Sequence, residues 1–252
     1  MGDFSVVIPA LNSSVTLRRL IPSVAHELVR EVILVDNGSS DDTVTLAREA
    51  GFTVLEAPDL TIAGMRNLGA HRASGKFVLF LDSDAVLPEH YFEIAGSLFS
   101  NDSVVAVGCN QEYLPEDATW VSRALGDHLE GNNPDGETAW LDSVAVVVRK
   151  DVFQQIGGFD EKLRTCEDVD FGFRLARKGV LLSDSRLKVV HLHPGLTLWG
   201  FFRAELWRGG DSLKVALRNL QRGNEVLYLG LILCSAASIL AALSGLLMWS
   251  GV

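Results

Sequence analysis

Polar residues follow three apolar segments of this 252-residue sequence at the points where the segments end. Asn12 follows VVIPAL, Asp36 follows VILV, and Asp82 follows FVLFL, with Asp84 two residues later. Hard divalent cations bind carboxylate oxygens, and a Mg²⁺ or Mn²⁺ ion on a diphosphate needs only one or two protein carboxylates. Asp82 and Asp84 are two residues apart, so in an extended chain they project to the same side. The spacing predicts a divalent-metal site, and the alternative is an acidic turn that ends at Pro88.

A second acidic pair, Glu167 and Asp168, begins the segment EDVDFGFRLARK, whose apolar residues recur with helical spacing. A carboxylate at a helix N-terminus is stabilised by the helix dipole and by free backbone N–H groups. We therefore expect Asp168 to be fixed in position with a lowered pKa. The alternative is that it is only a helix N-cap. Asp170 and Arg174 lie four residues apart on the same helix and are expected to form a structural ion pair.

Apolar segments alternate with helical patterns along most of the chain, which predicts an α/β fold with a mostly parallel sheet covered on both faces. In such sheets ligands bind beyond the carboxyl ends of the strands, where the polar residues described above occur. Strands are predicted at Phe4–Pro9, Glu31–Asp36, Thr53–Glu56, Phe77–Leu81, Val104–Gly108, Val144–Val148, Val180–Ser183 and Leu187–His191. Helices are predicted at Val15–Leu28, Asp42–Ala50, Thr61–Ala73, Tyr91–Phe99, Lys150–Ile156 and Asp168–Lys178.

The composition excludes several classes of protein. With 32 acidic and 22 basic residues the net charge is -10, which is unfavourable for neutralising nucleic-acid phosphates. No nucleic-acid partner is therefore expected. The three cysteines lie far apart with no CxxC pair, which indicates neither a disulfide framework nor a zinc cluster.

The end of the sequence has a different character. Val226–Val252 contains no charged residue, and Leu227–Ser250 would form a helix about 36 Å long, enough to cross a hydrocarbon core of about 30 Å. Tyr228 and Trp249 lie near its ends, where aromatic rings prefer the membrane interface. The segment predicts a transmembrane helix, and a buried core helix or hairpin is the alternative.

The segment 196–225 carries interleaved aromatic and basic residues, which predict an amphipathic helix at the membrane interface. Basic residues before a span favour the cytoplasmic side, and the first strand begins almost directly after Met1 with no signal peptide. We expect residues 1–195 to form a cytoplasmic domain and 226–252 a single pass through the cell membrane.

Five motifs, VVIPALN, VDNGSSDDT, RNLGAHRASGKFVLFLDSD, GGFDE and CEDVDFGFRLARKG, occur in the order found in glycosyltransferase family 2. Residues 4–195 therefore resemble these inverting enzymes of the GT-A fold, a Rossmann-like nucleotide-diphospho-sugar transferase fold. The resemblance implies transfer of a sugar from a nucleoside-diphosphate sugar to a hydroxyl acceptor, with Mn²⁺ or Mg²⁺. The resemblance also implies that the interface helix of 196–225 lies on the acceptor side. The membrane tether suggests an acceptor that is lipid-linked or part of a cell-envelope glycan.

The resemblance also implies roles for individual residues. Asp168 matches the general base, and Glu167 could share the contacts with the acceptor. A histidine after the last strand ligates the metal in some members of the fold, and imidazole favours Mn²⁺ over Mg²⁺. The donor nucleoside is assigned to Pro9, Asn12, Asp36 and Asp41, the diphosphate to Arg66, the ribose or the metal to Asp82, and the metal to Asp84, His191 and His193. The alternatives are a helix N-cap for Asp41, an exposed helix charge for Arg66 and a polar loop for the histidines.

Other functions remain open from the sequence. FVLFLDSDAV imitates the nucleophile motif of haloacid-dehalogenase-like hydrolases, although three predicted strands precede it. A nucleotidyltransferase or a dinucleotide-dependent dehydrogenase would need a glycine-rich loop after the first strand, where PALNSS has none. A processive synthase would carry QxxRW where this chain has Glu205-Leu206-Trp207-Arg208. A membrane-bound sugar-nucleotide-binding scaffold without activity is the alternative that is not an enzyme.

Overall fold

A computed structural model describes residues 2–109, 112–113, 119–120, 135–192, 197, 199–200, 202–203, 211, 214–215 and 218. Its strands are β1 Phe4–Ala10, β2 Val29–Asp36, β3 Thr53–Glu56, β4 Phe77–Leu81, β5 Ala85–Val86, β6 Val104–Gly108, β7 Glu112–Tyr113, β8 Gly136–Thr138, β9 Ala145–Arg149, β10 Val180–Ser183 and β11 Val189–His191. Its helices are α1 Ser14–Val24, α2 Thr43–Glu49, α3 Ile62–Arg72, α4 Tyr91–Leu98, α5 Lys150–Ile156 and α6 Glu167–Leu175. A short 3₁₀ helix, Ser185–Leu187, precedes β11.

Eight of these strands form one sheet in the order β3-β2-β1-β4-β9-β6-β10-β8. Only β9 and β8 run antiparallel to the neighbours with which they pair. The residues of β1, β4 and β6 are buried throughout. Successive side chains point to opposite faces, so Val6 and Ile8 join one apolar core cluster and Val7 joins the other. The prediction of a mostly parallel α/β sheet is confirmed.

The order β2-β1-β4 places the predicted donor-binding residues at one edge of the sheet. Ala10, near the end of β1, pairs with Asp36 at the end of β2, and β4 runs parallel to β1 on its other side. The loops that carry Asn12 and Asp82 therefore begin at the same edge of the sheet as Asp36. Because the three strands point the same way, side chains far apart in sequence meet at their carboxyl ends.

A second sheet, in the order β5-β11-β7, lies beside this edge. Strand β11 runs antiparallel to β5, with His191 opposite Ala85. The backbone N–H of Leu192 then donates to the carbonyl oxygen of Asp84, at 2.7 Å. This pairing brings the end of the last predicted strand to the DxD turn.

Helix α3 lies close against β1 because residue 69 is a glycine. A Cβ atom at Gly69 would lie 2.3 Å from Cγ1 of Val7. The close approach presses the face of α3 that carries Arg66 towards the carboxyl end of β4. The glycine in RNLGAHR thus determines where the arginine of that motif lies.

Several predicted boundaries are wrong by about one turn. Helix α1 ends at Val24 and not at Leu28, because Val29 begins β2 and the carbonyl oxygen of Leu28 accepts from the N–H of Phe4. Helix α6 ends at Leu175 and not at Lys178, because the chain must turn to pair β10 with β6. Strand β8 begins at the predicted loop glycine Gly136, and its antiparallel pairing with β10 has no counterpart in the sequence pattern.

The predicted interface segment and membrane span stay predictions, because the structure describes few of their residues. Residues 226–252 lie outside the described residues, as does most of 196–225. Among the residues that the structure describes, no helix combines the length and the apolar character that crossing a bilayer requires. The division at residues 195 and 225 stays a prediction.

Candidate active site

Asp36 is buried at the end of β2, with 3% of its surface exposed. Its Oδ2 atom accepts hydrogen bonds from the N–H groups of Gly38 and Ser39, at 3.0 and 2.9 Å. Its Oδ1 atom is also buried and has no hydrogen-bond partner among the described residues. A buried acceptor without a donor is costly, so a ligand that offers an N–H or O–H group would be stabilised there.

Asn12 connects the loops that follow β1 and β2. Its backbone has a positive φ of 52°, a conformation that asparagine adopts more readily than most residues. Its N–H donates to Oγ of Ser39 at 2.9 Å, and its Oδ1 accepts from the N–H of Ser40 at 2.9 Å. Pro9 is buried in β1, opposite Val35. The predicted donor residues Pro9, Asn12 and Asp36 therefore lie together.

Asp41 joins the beginnings of two helices. One carboxylate oxygen accepts from the N–H of Ser14 at 3.0 Å, and the other accepts from the N–H and hydroxyl of Thr43 at 3.0 and 2.5 Å. Burial acts to raise the pKa of Asp41, but these hydrogen bonds overcome it and hold the pKa well below its ordinary value. Protein donors thus occupy both oxygens, as the N-cap alternative requires, and a donor-binding role for Asp41 stays a prediction.

Arg66 is buried between two of the predicted site carboxylates, with 2% of its side chain exposed. Its Nη2 atom donates to Asp82 Oδ1 and its Nη1 atom donates to Glu167 Oε1, each at 2.8 Å. An exposed helix charge, the alternative interpretation of this residue, is therefore wrong. The guanidinium connects the DxD turn directly to the first residue of α6.

The ring of Phe159 lies against this guanidinium, with its centroid 5.5 Å from Cζ of Arg66. Asn67, the next residue of α3, holds the backbone of Phe159. Its Oδ1 accepts from the N–H at 2.8 Å, and its Nδ2 donates to the carbonyl oxygen at 3.0 Å. Sequence reasoning missed Asn67, although it lies in the motif that supplied Arg66.

The DxD segment does not have the extended geometry that we expected from its spacing. The N–H of Ala85 donates to the carbonyl oxygen of Asp82 at 3.1 Å, which closes a turn. The side chain of Asp82 contacts Arg66, whereas that of Asp84 faces β11. Burial and the charge of Asp84 raise the pKa of Asp82, against the lowering effects of Arg66 and His191. Ser83 lies between the two carboxylates and shares a 2.8 Å hydrogen bond with Ser13.

Asp84 and His191 form the pair best suited to hold a divalent cation. Oδ1 of Asp84 lies 3.2 Å from Nε2 of His191, and both side chains are partly exposed. A carboxylate and an imidazole are suitable ligands for Mn²⁺ when diphosphate oxygens complete the coordination. Within the part of the chain that the structure describes, no group of three or more potential ligands is placed to hold a metal. His193 lies outside the described residues.

Asp168 follows Glu167 at the start of α6, and its Oδ1 accepts from the N–H of Val169 at 2.8 Å. The predicted lowering of its pKa is wrong. Burial and the charge of Glu167 raise the pKa of Asp168 to about 6, against the opposing effects of the Val169 N–H and Arg66. Burial and the charge of Glu167 therefore have a larger effect on this pKa than the helix dipole and the free N–H groups. A carboxylate with a pKa near the working pH is suited to general base catalysis.

This raised pKa predicts a pH-dependent change in stability. Because the folded protein favours protonated Asp168, its stabilising contribution is complete below the unfolded pKa of about 3.9 and is lost as the pH rises through about 6. Asp168→Asn should therefore raise the free energy of unfolding at pH 8 by about 1–3 kcal/mol and leave it unchanged near pH 3.5. Urea unfolding of the metal-free protein at both pH values tests this. An equal effect at both values would contradict the shift.

The chain is similar to a pre-mycofactocin glycosyltransferase of Mycobacterium tuberculosis. The two are 30% identical over 231 residues, which cover 86% of this chain and 48% of that protein. The chain thus spans about half the length of this curated relative.

Solved structures share the fold. A mannosyltransferase from Pyrobaculum calidifontis, in complex with GDP-Man and Mn²⁺, matches with a TM-score of 0.69 and 17% identity over 96% of this chain and 75% of that one. Residues 1–349 of TarS from S. aureus, in complex with UDP-GlcNAc, match with a TM-score of 0.65 and 18% identity over 92% of this chain and 72% of that one. The predicted GT-A-like fold is confirmed.

The family model described as glycosyl transferase family 2 matches residues 5–157, more than half of the chain. This match contains the residues of β1, β2 and β4 and the DxD turn, in the arrangement described above. The haloacid-dehalogenase, nucleotidyltransferase and dehydrogenase alternatives are therefore wrong. The chain belongs to glycosyltransferase family 2.

Proposed function

We propose that the chain is a metal-dependent inverting glycosyltransferase, which moves a sugar from a nucleoside-diphosphate sugar to a hydroxyl group. The observation that carries the proposal is the double ion pair of Arg66 with Asp82 and Glu167. It places the DxD turn beside the helix that begins with Glu167 and Asp168. A donor at the turn and an acceptor at the helix would therefore meet in one crevice.

In this proposal Asp168 acts as the general base. It takes the proton of the acceptor hydroxyl while the hydroxyl oxygen forms a bond to the anomeric carbon. The bond from that carbon to the diphosphate breaks with its electron pair, and the nucleoside diphosphate leaves from the opposite face. Glu167 is held by Arg66 and shares the contacts with the acceptor. The raised pKa of Asp168 supports this role, because a base with a pKa of about 6 is ionised at neutral pH but still accepts a proton.

Asp84 and His191 would hold a Mn²⁺ or Mg²⁺ ion, and the 3.2 Å approach of their ligand atoms supports this assignment. The bound ion would supply positive charge to the diphosphate leaving group. We assign Arg66 a changed role, because both of its terminal nitrogens already donate to carboxylates. It orients Asp82 and Glu167 and offsets their charge.

The nucleoside of the donor would bind beyond β1 and β2. The buried, unpaired Oδ1 of Asp36 supports this, since a base N–H or a ribose hydroxyl would supply the missing hydrogen bond. Asn12 and Pro9 line the same loops, and Asp41 supports them through α1 and α2. Complexes of similar folds contain GDP-Man or UDP-GlcNAc, which supports a nucleoside-diphosphate sugar as the donor class.

We further propose that the acceptor is lipid-linked or a cell-envelope glycan and that transfer occurs at the cytoplasmic face of the cell membrane. The uncharged segment 226–252 and the basic residues before it support a single-pass tether in this orientation. Fractionation of the expressed chain with and without 226–252 tests the tether. Recovery of both forms in the soluble fraction would contradict it.

The metal assignment predicts the behaviour of two variants. UDP-glucose, UDP-GlcNAc and GDP-mannose are each added with Mn²⁺, and melting temperatures are measured. A donor at about 100 times its Kd should stabilise the wild type by about 2.7 kcal/mol, which raises the melting temperature by several degrees. In Asp84→Asn and His191→Gln the Mn²⁺-dependent part of this rise should disappear, because each loses one ligand.

Asp102→Asn is the matched control, because this carboxylate is fully exposed before β6, at the opposite edge of the sheet. It should keep the full Mn²⁺-dependent rise. An undiminished rise in Asp84→Asn would refute the assigned ligand. The absence of any rise with all three donors in the wild type would instead contradict the proposed donor class.

A further inference from the structure

Four described residues of the C-terminal region, Asp211, Lys214, Val215 and Arg218, are helical. Asp211 and Arg218 contact the loop that leads into α6. The spacing of the four residues, at three, four and seven positions from the first, is that of one helix face. Val215 is 2% exposed, so this face is packed against protein. We call these residues the docking face and residues 157–166 the α5–α6 loop.

Asp211 is bonded to the backbone of this loop. Its Oδ2 accepts from the N–H of Arg164 at 2.8 Å, and the N–H of Thr165 also donates to its carboxylate. Farther along the docking face, Nη1 of Arg218 donates to Oδ2 of Asp160 at 2.7 Å. The docking face therefore holds the loop near both of its ends.

Helix α3 holds the same loop independently of the docking face. Nδ2 of Asn67 donates to Oε1 of Glu161 at 2.8 Å, in addition to its hydrogen bonds with Phe159. Leu163 lies between these contacts and those of Asp211, and it is completely buried. The loop is thus fixed by the N-terminal half of the chain at one side and by the docking face at the other.

The residue after Thr165 adopts a strained conformation. Cys166 has a φ of 58°, in the left-handed region that residues with a side chain seldom occupy. Its carbonyl oxygen accepts from the N–H of Asp170 at 3.1 Å, so this conformation sets the direction in which α6 begins. Such conformations are unfavourable and persist only where neighbouring contacts impose them. The contacts of Asp211 with the two preceding residues are of this kind.

We propose that Asp211 is a positioning residue for Asp168. By accepting from the N–H groups of Arg164 and Thr165, it holds Cys166 in the left-handed conformation and thereby fixes where Glu167 and Asp168 lie. This inference rests on the proposed function, in which Asp168 is the base. It also means that Asp211, on the docking face that precedes the region assigned to the membrane, acts on the reaction through the backbone.

The test compares Asp211→Ala with Asp211→Asn in the full chain. The substrate is whichever of UDP-glucose, UDP-GlcNAc and GDP-mannose is hydrolysed with Mn²⁺, and release of UDP or GDP is measured. Asp211→Ala should lower kcat by about 10- to 100-fold, because a displacement of about 1 Å at a reacting group has such an effect. The KM for the donor should stay within about twofold, since the donor binds at the strand ends. Asp211→Asn should recover part of kcat, because its amide oxygen can still accept.

Arg48→Met, which removes the exposed ion pair of Arg48 with Glu56, serves as the control and should leave kcat unchanged. An unchanged kcat in Asp211→Ala would overturn the inference. So would an equal loss in the alanine and asparagine variants, or a loss that appears mainly in KM.

Hydrogen exchange provides a readout that does not depend on the proposed function. Backbone amides of residues 163–170 should exchange at least about 10-fold faster in Asp211→Ala, whereas those of β4 should not change. If no donor stabilises the wild type with Mn²⁺, the proposed function is contradicted, but the exchange data still test the contact. Unchanged protection of 163–170 would overturn the positioning role in either case.

Discussion

Replacing Asp168 by asparagine should lower the rate of sugar transfer by about 10²–10⁴-fold, the usual contribution of a general base. Asparagine preserves the shape of the side chain and can still accept from the Val169 N–H, but it cannot take a proton from a hydroxyl. Donor affinity should remain within about twofold, because no predicted donor contact involves this residue. Initial rates of nucleotide release and a separate Mn²⁺-dependent binding measurement test both parts.

Asp151→Asn is the matched control for this prediction. Asp151 is also a carboxylate in the first turn of a helix, but it is exposed on α5. Helix α5 begins after β9, which runs antiparallel to β4, so Asp151 lies at the opposite edge of the sheet. Asp151→Asn should release nucleotide at the wild-type rate. Undiminished turnover by Asp168→Asn would show that another group is the base.

Replacing Arg66 by methionine should lower the free energy of unfolding by about 3–5 kcal/mol at pH 7, a large part of the stability of a typical domain. Methionine fills much of the same volume but removes the donors to Asp82 and Glu167. These two carboxylates would then lie beside each other and Asp168 without a cation, and burial of unpaired charge is costly. Urea unfolding monitored by circular dichroism measures the loss.

Two comparisons isolate this effect. Arg48→Met removes an ion pair that is more than half exposed on both sides, and it should cost less than about 1 kcal/mol. The triple variant Arg66→Met, Asp82→Asn, Glu167→Gln should recover part of the loss, because it removes the unpaired charges along with the arginine. If Arg66→Met lowers the free energy of unfolding no more than Arg48→Met does, the buried ion pairs of Arg66 do not stabilise the fold.

The sequence was most informative where local pattern and topology agree. Buried parallel strands are continuous apolar runs, so the bounds of β4 and β6 could be predicted to the residue. Once the strands are parallel, the residues that follow them must share one edge of the sheet. For this reason Asp36 and Asp82 could be assigned to one site from their positions along the chain.

Contacts between distant elements could not be predicted in this way. Nothing in the spacing of RNLGAHR indicates that its arginine is buried against Glu167, since that contact depends on how α3 and α6 pack over the sheet. The pKa of Asp168 was predicted in the wrong direction because a helix N-terminus is visible in sequence and burial is not. Asp211 had no motif at all, and only its contacts with the backbone of Arg164 and Thr165 distinguish it from other acidic residues.

The two partners joined by the Arg66–Glu167 bond are 101 positions apart, which has a consequence for the order of folding. While the chain is being synthesised, β1 to β4 and α3 emerge long before α6 does. In a partly folded N-terminal half, burial of the Arg66 guanidinium would leave it without Glu167, one of its two carboxylate partners. If the guanidinium stayed in water instead, α3 could not pack against the sheet. The N-terminal half should therefore not fold stably until residue 167 has been synthesised. Nascent chains halted before that point should remain sensitive to proteases, and chains long enough to expose α6 should become resistant in a single step.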